Sequence, residues 1–354
     1  MKPFKTLFSN KHFRGDCITI FLIIAAYVFI SNIRLSSLME GLLVPVCVYM
    51  VLAMSLNLTV GILGELSLGH AGFMSVGAFS GVLVSRLLET SSMPQGIRFA
   101  ISLTVGALIG GIFGILIGIP VLRLNGDYLA IVTLAFGEII KAIMNNLYVG
   151  KDADGIHVNM TGLSFITNTR DKYINGPLGL THTPQYSTFF AGVILVIITY
   201  IVCEHFIHSR DGRAVRAVRD NRIAAESVGI PVTKYKLLAF TLSSAMAGAA
   251  GCLYAHNYST MLATKLDYNK SILILVLVVL GGIGNMKGSI ISALILTVLP
   301  ELLRSFDRYR MLIYSILLIA IMLINWSPKS RKFIDGIRAR IRTCFSRKKT
   351  AVTK

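Results

Sequence analysis

Charged residues inside apolar sequence are the first place to look for chemistry. In Gly126-Asp-Tyr-Leu-Ala-Ile-Val-Thr-Leu-Ala-Phe-Gly-Glu138, Asp127 and Glu138 stand eleven residues apart, with Thr133 between them. On a helix that is about three turns, so the two carboxylates share one face roughly 16 Å apart. Asp127 falls at the edge of the apolar run and Glu138 well inside it. A carboxylate among apolar side chains is costly unless it is paired or hydrated, which makes Glu138 a functional candidate. Lys141, one turn on, offers the competing explanation of a structural ion pair.

Two glycine-rich interruptions of apolar sequence form a second group. The first, Gly61-Ile-Leu-Gly-Glu-Leu-Ser-Leu-Gly-His-Ala-Gly72, follows Asn57; the second is Gly281-Gly-Ile-Gly-Asn-Met-Lys-Gly288. Breaks of this kind free backbone carbonyls and amides, which are tolerated at membrane depth where they line a cavity or pack inside protein. Asn57, Ser67, Gly69, His70, Thr133, Glu138, Gly281 and Gly282 are therefore the candidate residues of a solute path. The plainer alternatives are a tight turn for each break and a hydrogen-bonded structural role for His70. Lys287-Gly-Ser289 reverses the order of a phosphate-binding loop and no strand precedes it, so the chain offers no ATP site.

A third pattern is basic. Ser209–Lys236 holds Arg210, Arg213, Arg216, Arg219, Arg222, Lys234 and Lys236 between two long apolar runs, with Asp211, Asp220 and Glu226 mixed in. Arginines at every third position wind as a stripe along a helix that Gly212 precedes and Gly229-Ile-Pro231 ends. Such a segment either fixes topology through its charge or docks a soluble partner.

These residues sit on an apolar scaffold. Hydrophobic residues make up 54% of the 354 and charged residues 15%, with a mean hydropathy of +0.69. A soluble domain carries roughly 25% charge, so the fold class is an all-α polytopic membrane bundle. Apolar runs cover about 17–34, 38–60, 71–89, 98–122, 127–148, 187–208, 235–256, 270–284, 288–304 and 310–327. Ten segments give eight to ten true spans, because the runs at 270–304 are short enough for re-entrant geometry. The net charge of +18 is concentrated at the ends and in 209–236: Lys2, Lys5, Lys11 and Arg14 lead, and ten basic residues stand from Lys329 onward. All three clusters flank apolar runs, which places both termini and 209–236 on the cytoplasmic side. The tail also suits anionic lipid headgroups, and nucleic acid is not implied. Arg304, Arg308 and Arg310 fall on the outer side of this count, against its charge rule. The domains read as a basic N-terminus at 1–16, a transmembrane domain at 17–328 and a basic tail at 329–354. Residues 150–186 form an exterior loop that caps a mouth, receives a binding protein or simply connects. Cys17, Cys47, Cys203, Cys252 and Cys344 have neither metal nor disulfide spacing, and the first apolar run is a retained helix without a cleavage site.

Glu65-Leu-Ser-Leu-Gly-His-Ala-Gly-Phe-Met-Ser-Val-Gly-Ala, Gly126-Asp-Tyr-Leu-Ala-Ile-Val-Thr-Leu-Ala-Phe-Gly-Glu-Ile, Gly212-Arg-Ala-Val-Arg-Ala-Val-Arg-Asp-Asn and Val279-Leu-Gly-Gly-Ile-Gly-Asn-Met-Lys-Gly-Ser resemble one family. It is the LivM-like permease subunits of branched-chain amino acid ABC importers, and the resemblance runs from about residue 40 to 325. It implies a bacterial inner-membrane permease for hydrophobic amino acids that works with a second permease subunit, two ATP-binding subunits and an extracytoplasmic solute-binding protein. ATP and Mg would be held by the ATPase, so this chain is no enzyme and carries no cofactor. The resemblance also makes 209–236 the coupling loop, with Arg213, Arg216, Arg219, Asp220, Ala224, Ala225, Glu226 and Gly229 as the docking residues. Ile223 stands where the family's docking pattern has Glu, so Arg219, Asp220 or Glu226 would supply the charged contact. Urea or short amides are an alternative cargo. A proton-coupled carrier using Glu138 is an alternative of another class, and a membrane enzyme has no nucleophile–base spacing to support it.

Overall fold

The computed structural model describes residues 11–32, 37–90, 93–124, 126–152, 155–160, 172–304 and 309–326. The basic tail, Lys2, Lys5 and Arg308 lie outside them. The chain divides into two compact units, residues 1–297 and 298–354.

The apolar runs become helices: α1 (Lys11–Asn32), α2 (Ser37–Asn57), α3 (His70–Leu87), α4 (Gln95–Val121), α5 (Asp127–Asn146) and α6 (Phe189–His208). They continue, after two short helices described below, as α9 (Val232–Ala255), α10 (Tyr268–Gly281), α11 (Met286–Leu302) and α12 (Arg310–Trp326). Among the described residues, four are long and apolar enough to cross a membrane: Met39–Leu63, Gln95–Val121, Phe189–His208 and Val232–Ala255. At 14 residues, α10 reaches only about 21 Å.

Small residues let the core helices close. A Cβ on Gly77 or Gly106 would meet the backbone of Gly248 on α9, and one on Gly251 would meet Met74. Helices whose outer faces are apolar gain little from hydrophobicity when they meet, and close backbone approach supplies the packing instead. Outward-facing side chains such as Leu108, Ile112 and Leu116 of α4 are exposed, as that arrangement requires. Cys47, Cys203 and Cys252 are buried thiols inside this packing.

Two expectations are corrected here. Residues 148–175 are not wholly loop: β1 (Tyr148–Asp152) pairs antiparallel with β2 (Gly155–Asn159) and β3 (Lys172–Asn175), in the order β2-β1-β3. The short strands carry few apolar residues, yet Val149, Tyr173 and Ile174 are buried, and Leu180 bridges to Met261. The basic segment is also not one helix. It forms α7 (Arg210–Asp220) and α8 (Arg222–Ser227), separated by Asn221 in extended conformation (φ −155°, ψ 105°). Gly212 lies inside the first turn of α7, whose cap is Ser209; the Ser209 hydroxyl oxygen accepts from Gly212 N at 3.0 Å. In the second unit, Arg304 pairs with Glu301 at 2.9 Å, which offsets the charge locally.

Candidate functional site

The two glycine-rich breaks meet. After Asn57 the helix widens into a π-helical turn, Leu58–Leu63, and ends at Gly64 with φ +81°. Gly61 lies against the backbone of Gly284, so closely that a Cβ would overlap it. Asn57, fully buried, joins the breaks through its side chain. Its Oδ1 accepts from Gly284 N at 2.8 Å and its Nδ2 donates to Ser289 Oγ at 2.8 Å. Gly282 and Gly284 take left-handed backbones at φ +93° and +82°. That turn lets α11 fold back until Gly281 and Gly288 touch.

The same junction is tied to the basic segment. Arg219 Nη1 donates to Gly61 O at 2.5 Å, and its side chain packs over Gly64. Arg216 and Arg213 donate to Ile207 O and His208 O at 2.9 and 3.0 Å. Three of the striped arginines therefore satisfy carbonyls that helix ends leave open. Lys236, on the first turns of α9, forms a buried ion pair with Glu65 of the first break. Val218, Ala225, Val232 and Ile230 hold α7, α8 and the start of α9 in one apolar cluster.

The tip α8 faces outward. Asn221 Oδ1 caps it by accepting from Ala224 N at 3.1 Å. Gly229, at φ +83°, ends it with bonds from Gly229 N to Glu226 O and from Ile230 N to Ala225 O. Ile223 and Val228 are 80% and 75% exposed, Arg222 pairs with Glu226 at 3.1 Å, and Asp220 is exposed beside Arg219. Ala225 is buried in the cluster, whereas Ala224 is exposed.

The remaining candidates gather where the first break passes α5. Leu68 N donates to Thr133 Oγ1 at 3.1 Å, and Gly69 approaches the Thr133 carbonyl and Gly137. Ala71 N donates to Ser271 Oγ at 2.9 Å. Glu138 pairs with Lys141 and its Oε1 accepts from Tyr268 N at 3.2 Å, tying α5 to the start of α10. Leu68, Gly137, Glu138, Asp267, Tyr268 and Ser271 line a narrow crevice there. Ser67 Oγ is buried without a hydrogen-bond partner among the described residues. His70 is inside the core, its Nε2 2.7 Å from Ser55 Oγ. Ser55 Oγ also lies 2.9 Å from Leu52 O. Asp127 is exposed on the first turn of α5, without contact to Glu138.

Sequence reasoning missed the Glu65–Lys236 pair and a lysine, Lys270, whose ammonium bonds the Tyr49 hydroxyl. Lys236 reads in the sequence only as one of the basic residues of 209–236, and Lys270 stands at the start of an apolar run.

Residues 38–324 match the family described as the branched-chain amino acid transport system / permease component. The chain belongs to that family. It is 35% identical over 294 residues to the high-affinity branched-chain amino acid transport system permease protein LivM of Salmonella typhimurium, covering 80% of this chain and 67% of that one. Identity and coverage are the same for LivM of Escherichia coli. The chain is also 23% identical to the fructose import permease protein FruG of Bifidobacterium longum, over 66% of this chain and 67% of that one. No solved structure matches. As a member of this permease family the chain is a helical membrane protein, with four helices long and apolar enough to cross among the described residues.

Proposed function

We propose that this chain is one permease subunit of an ATP-driven importer for branched-chain and other hydrophobic amino acids. It would sit in the bacterial inner membrane with both termini cytoplasmic. The observation that carries the coupling part is the continuity from α8 to the breaks: an exposed apolar tip, a rigid α7, and Arg219 bonded to Gly61 O beside the Asn57 junction. A docked ATPase that moved α8 would pull on the point where both broken helices join. Ile223 and Val228 are the apolar knobs for that dock, with Asp220, Arg222 and Glu226 around them.

The solute path in this proposal runs past Ser67 and Gly69, with Asn57, Gly281 and Gly282 as its hinge and Glu138 as a structural tie at its side. The ten helices act as eight to ten spans, the shorter ones crossing in company with their neighbours. The partners are a second permease subunit, two ATP-binding subunits holding ATP and Mg, a solute-binding protein outside, and lipid around the basic ends. The cargo rests on the LivM relatives. A sugar or nucleoside is the second reading, since FruG is a fructose permease and a nucleoside ABC transporter permease protein, NupC of Lactococcus lactis, is 23% identical.

Solute-stimulated ATPase activity of the reconstituted complex tests both parts. Stimulation by leucine, isoleucine and valine, above that by phenylalanine, urea, fructose or a nucleoside, is the expected result. Stimulation by one of the others alone would replace the cargo, and failure of any ATPase to co-purify would overturn the coupling.

A further inference from the structure

The charges around the start of α10 leave one ammonium over. Glu138 spends its oxygens on Tyr268 N and Lys141. Asp267 caps α10 with Oδ1 accepting from Lys270 N at 3.3 Å, and its Oδ2 accepts from Asn269 Nδ2 at 2.7 Å. Among the described residues, no carboxylate lies within ion-pair distance of the Lys270 ammonium. Its company is aromatic. Nζ donates to the Tyr49 hydroxyl and stands 5.1 Å from the Tyr49 ring centre and 5.8 Å from that of Tyr254. An ammonium has three donors, and the bond to the Tyr49 hydroxyl, with the Tyr254 ring 5.8 Å away, leaves two of them.

Lys270 is half-buried on the first turn of the apolar helix α10. An ammonium there with no carboxylate beside it is a functional candidate in a chain of this membrane family. A stair of tyrosines leads toward it from the sheet end of the unit: Tyr258 is 38% exposed, Tyr254 packs edge-on against it at 5.0 Å, and Tyr49 is 8% exposed.

We infer that Lys270, with the Tyr49 hydroxyl, is the transient binding point for the carboxylate of the travelling solute, the Tyr254 ring flanking it. A carboxylate offers two acceptors to the two unused N–H donors and to the tyrosine proton. This inference rests on the amino acid cargo proposed above and deepens it.

The test is leucine uptake by proteoliposomes holding the full complex and its binding protein, with a charge series at one position. Lys270→Arg is expected to keep at least half of wild-type uptake. Lys270→Met is expected to lose at least tenfold, and Lys270→Glu to lose more, by repelling the carboxylate. Tyr49→Phe is expected to lose about threefold. ATPase stimulation by loaded binding protein and recovery of the assembled complex are expected to stay near wild type in all four, since the site is remote from α8. A packing role would instead spare the Met variant and lower complex recovery. Wild-type uptake with Met at this position, or equal uptake by the Met and Glu variants, overturns the inference alone. A wild-type complex that imports no amino acid overturns the cargo and the inference together.

Discussion

At the scale of single residues, the buried amide of Asn57 and the carboxylate of Glu138 do different work although both were candidates for the path. Asn57, just before the first break, satisfies the Gly284 N–H of the second and the Ser289 hydroxyl just after it, with no exposure to solvent. Asn57→Ala leaves Gly284 N without its acceptor, a loss on the order of 1–3 kcal/mol at the junction. Solute-stimulated ATPase is expected to persist while uptake falls about tenfold. Arg219→Met acts on the neighbouring carbonyl, and the double variant is expected to lose no more than the worse single, because contacts in one network are not additive. Glu138→Gln keeps an acceptor for Tyr268 N and loses only a partly exposed ion pair, worth about 1 kcal/mol or less. Uptake within threefold of wild type, with a slightly lower Tm, is expected. A hundredfold loss of uptake would make Glu138 part of the path itself.

At the scale of elements, α8 depends on how it ends. Gly229 has open space around its α-carbon, so a side chain there meets no neighbour; the constraint is φ +83°. Gly229→Val forces a β-branched residue into the left-handed region at about 1–2 kcal/mol or more and unwinds the end of the tip. ATPase assembly measured by co-purification, and the ratio of uptake to ATP hydrolysed, are both expected to fall, with Gly229→Ala milder in each. This stop signal was legible in the sequence, as were the apolar runs that became helices, because helix ends and hydrophobic length are local properties. The split at Asn221 was not, since an asparagine between arginines reads equally well as helix surface. Only the cap it offers to Ala224 N, and the burial of Val218 and Ala225 in one cluster, decide for two helices. The strands at 148–175 escaped for a similar reason: β3 bridges to Leu180 and, through it, to Met261, more than eighty positions further on. The site was legible as residue types only. Asn57, Gly61 and Gly284 meet across more than two hundred positions, a distance no local pattern carries.

At the scale of the whole molecule, the question is what energy moves the breaks. A proton carrier needs a carboxylate that exchanges its partners as the path alternates. Glu138 is held by a backbone amide and Lys141, and Asp267 by the first turn of α10, so each of these acids is a structural tie. At the other end α7 holds Gly61 through Arg219, and the buried Glu65–Lys236 pair holds the first break to α9. In the proposed coupling, force applied there by ATP-driven closure would reach both breaks through Asn57. Proteoliposomes of the complete complex with ATP inside are therefore expected to take up leucine at an unchanged rate when a protonophore collapses the pH gradient, and to stop when ATP is replaced by ADP. Uptake that follows the gradient and ignores ATP would transfer the driving role to the acids at the start of α10, and leave the tip at Ile223 without a mechanical task.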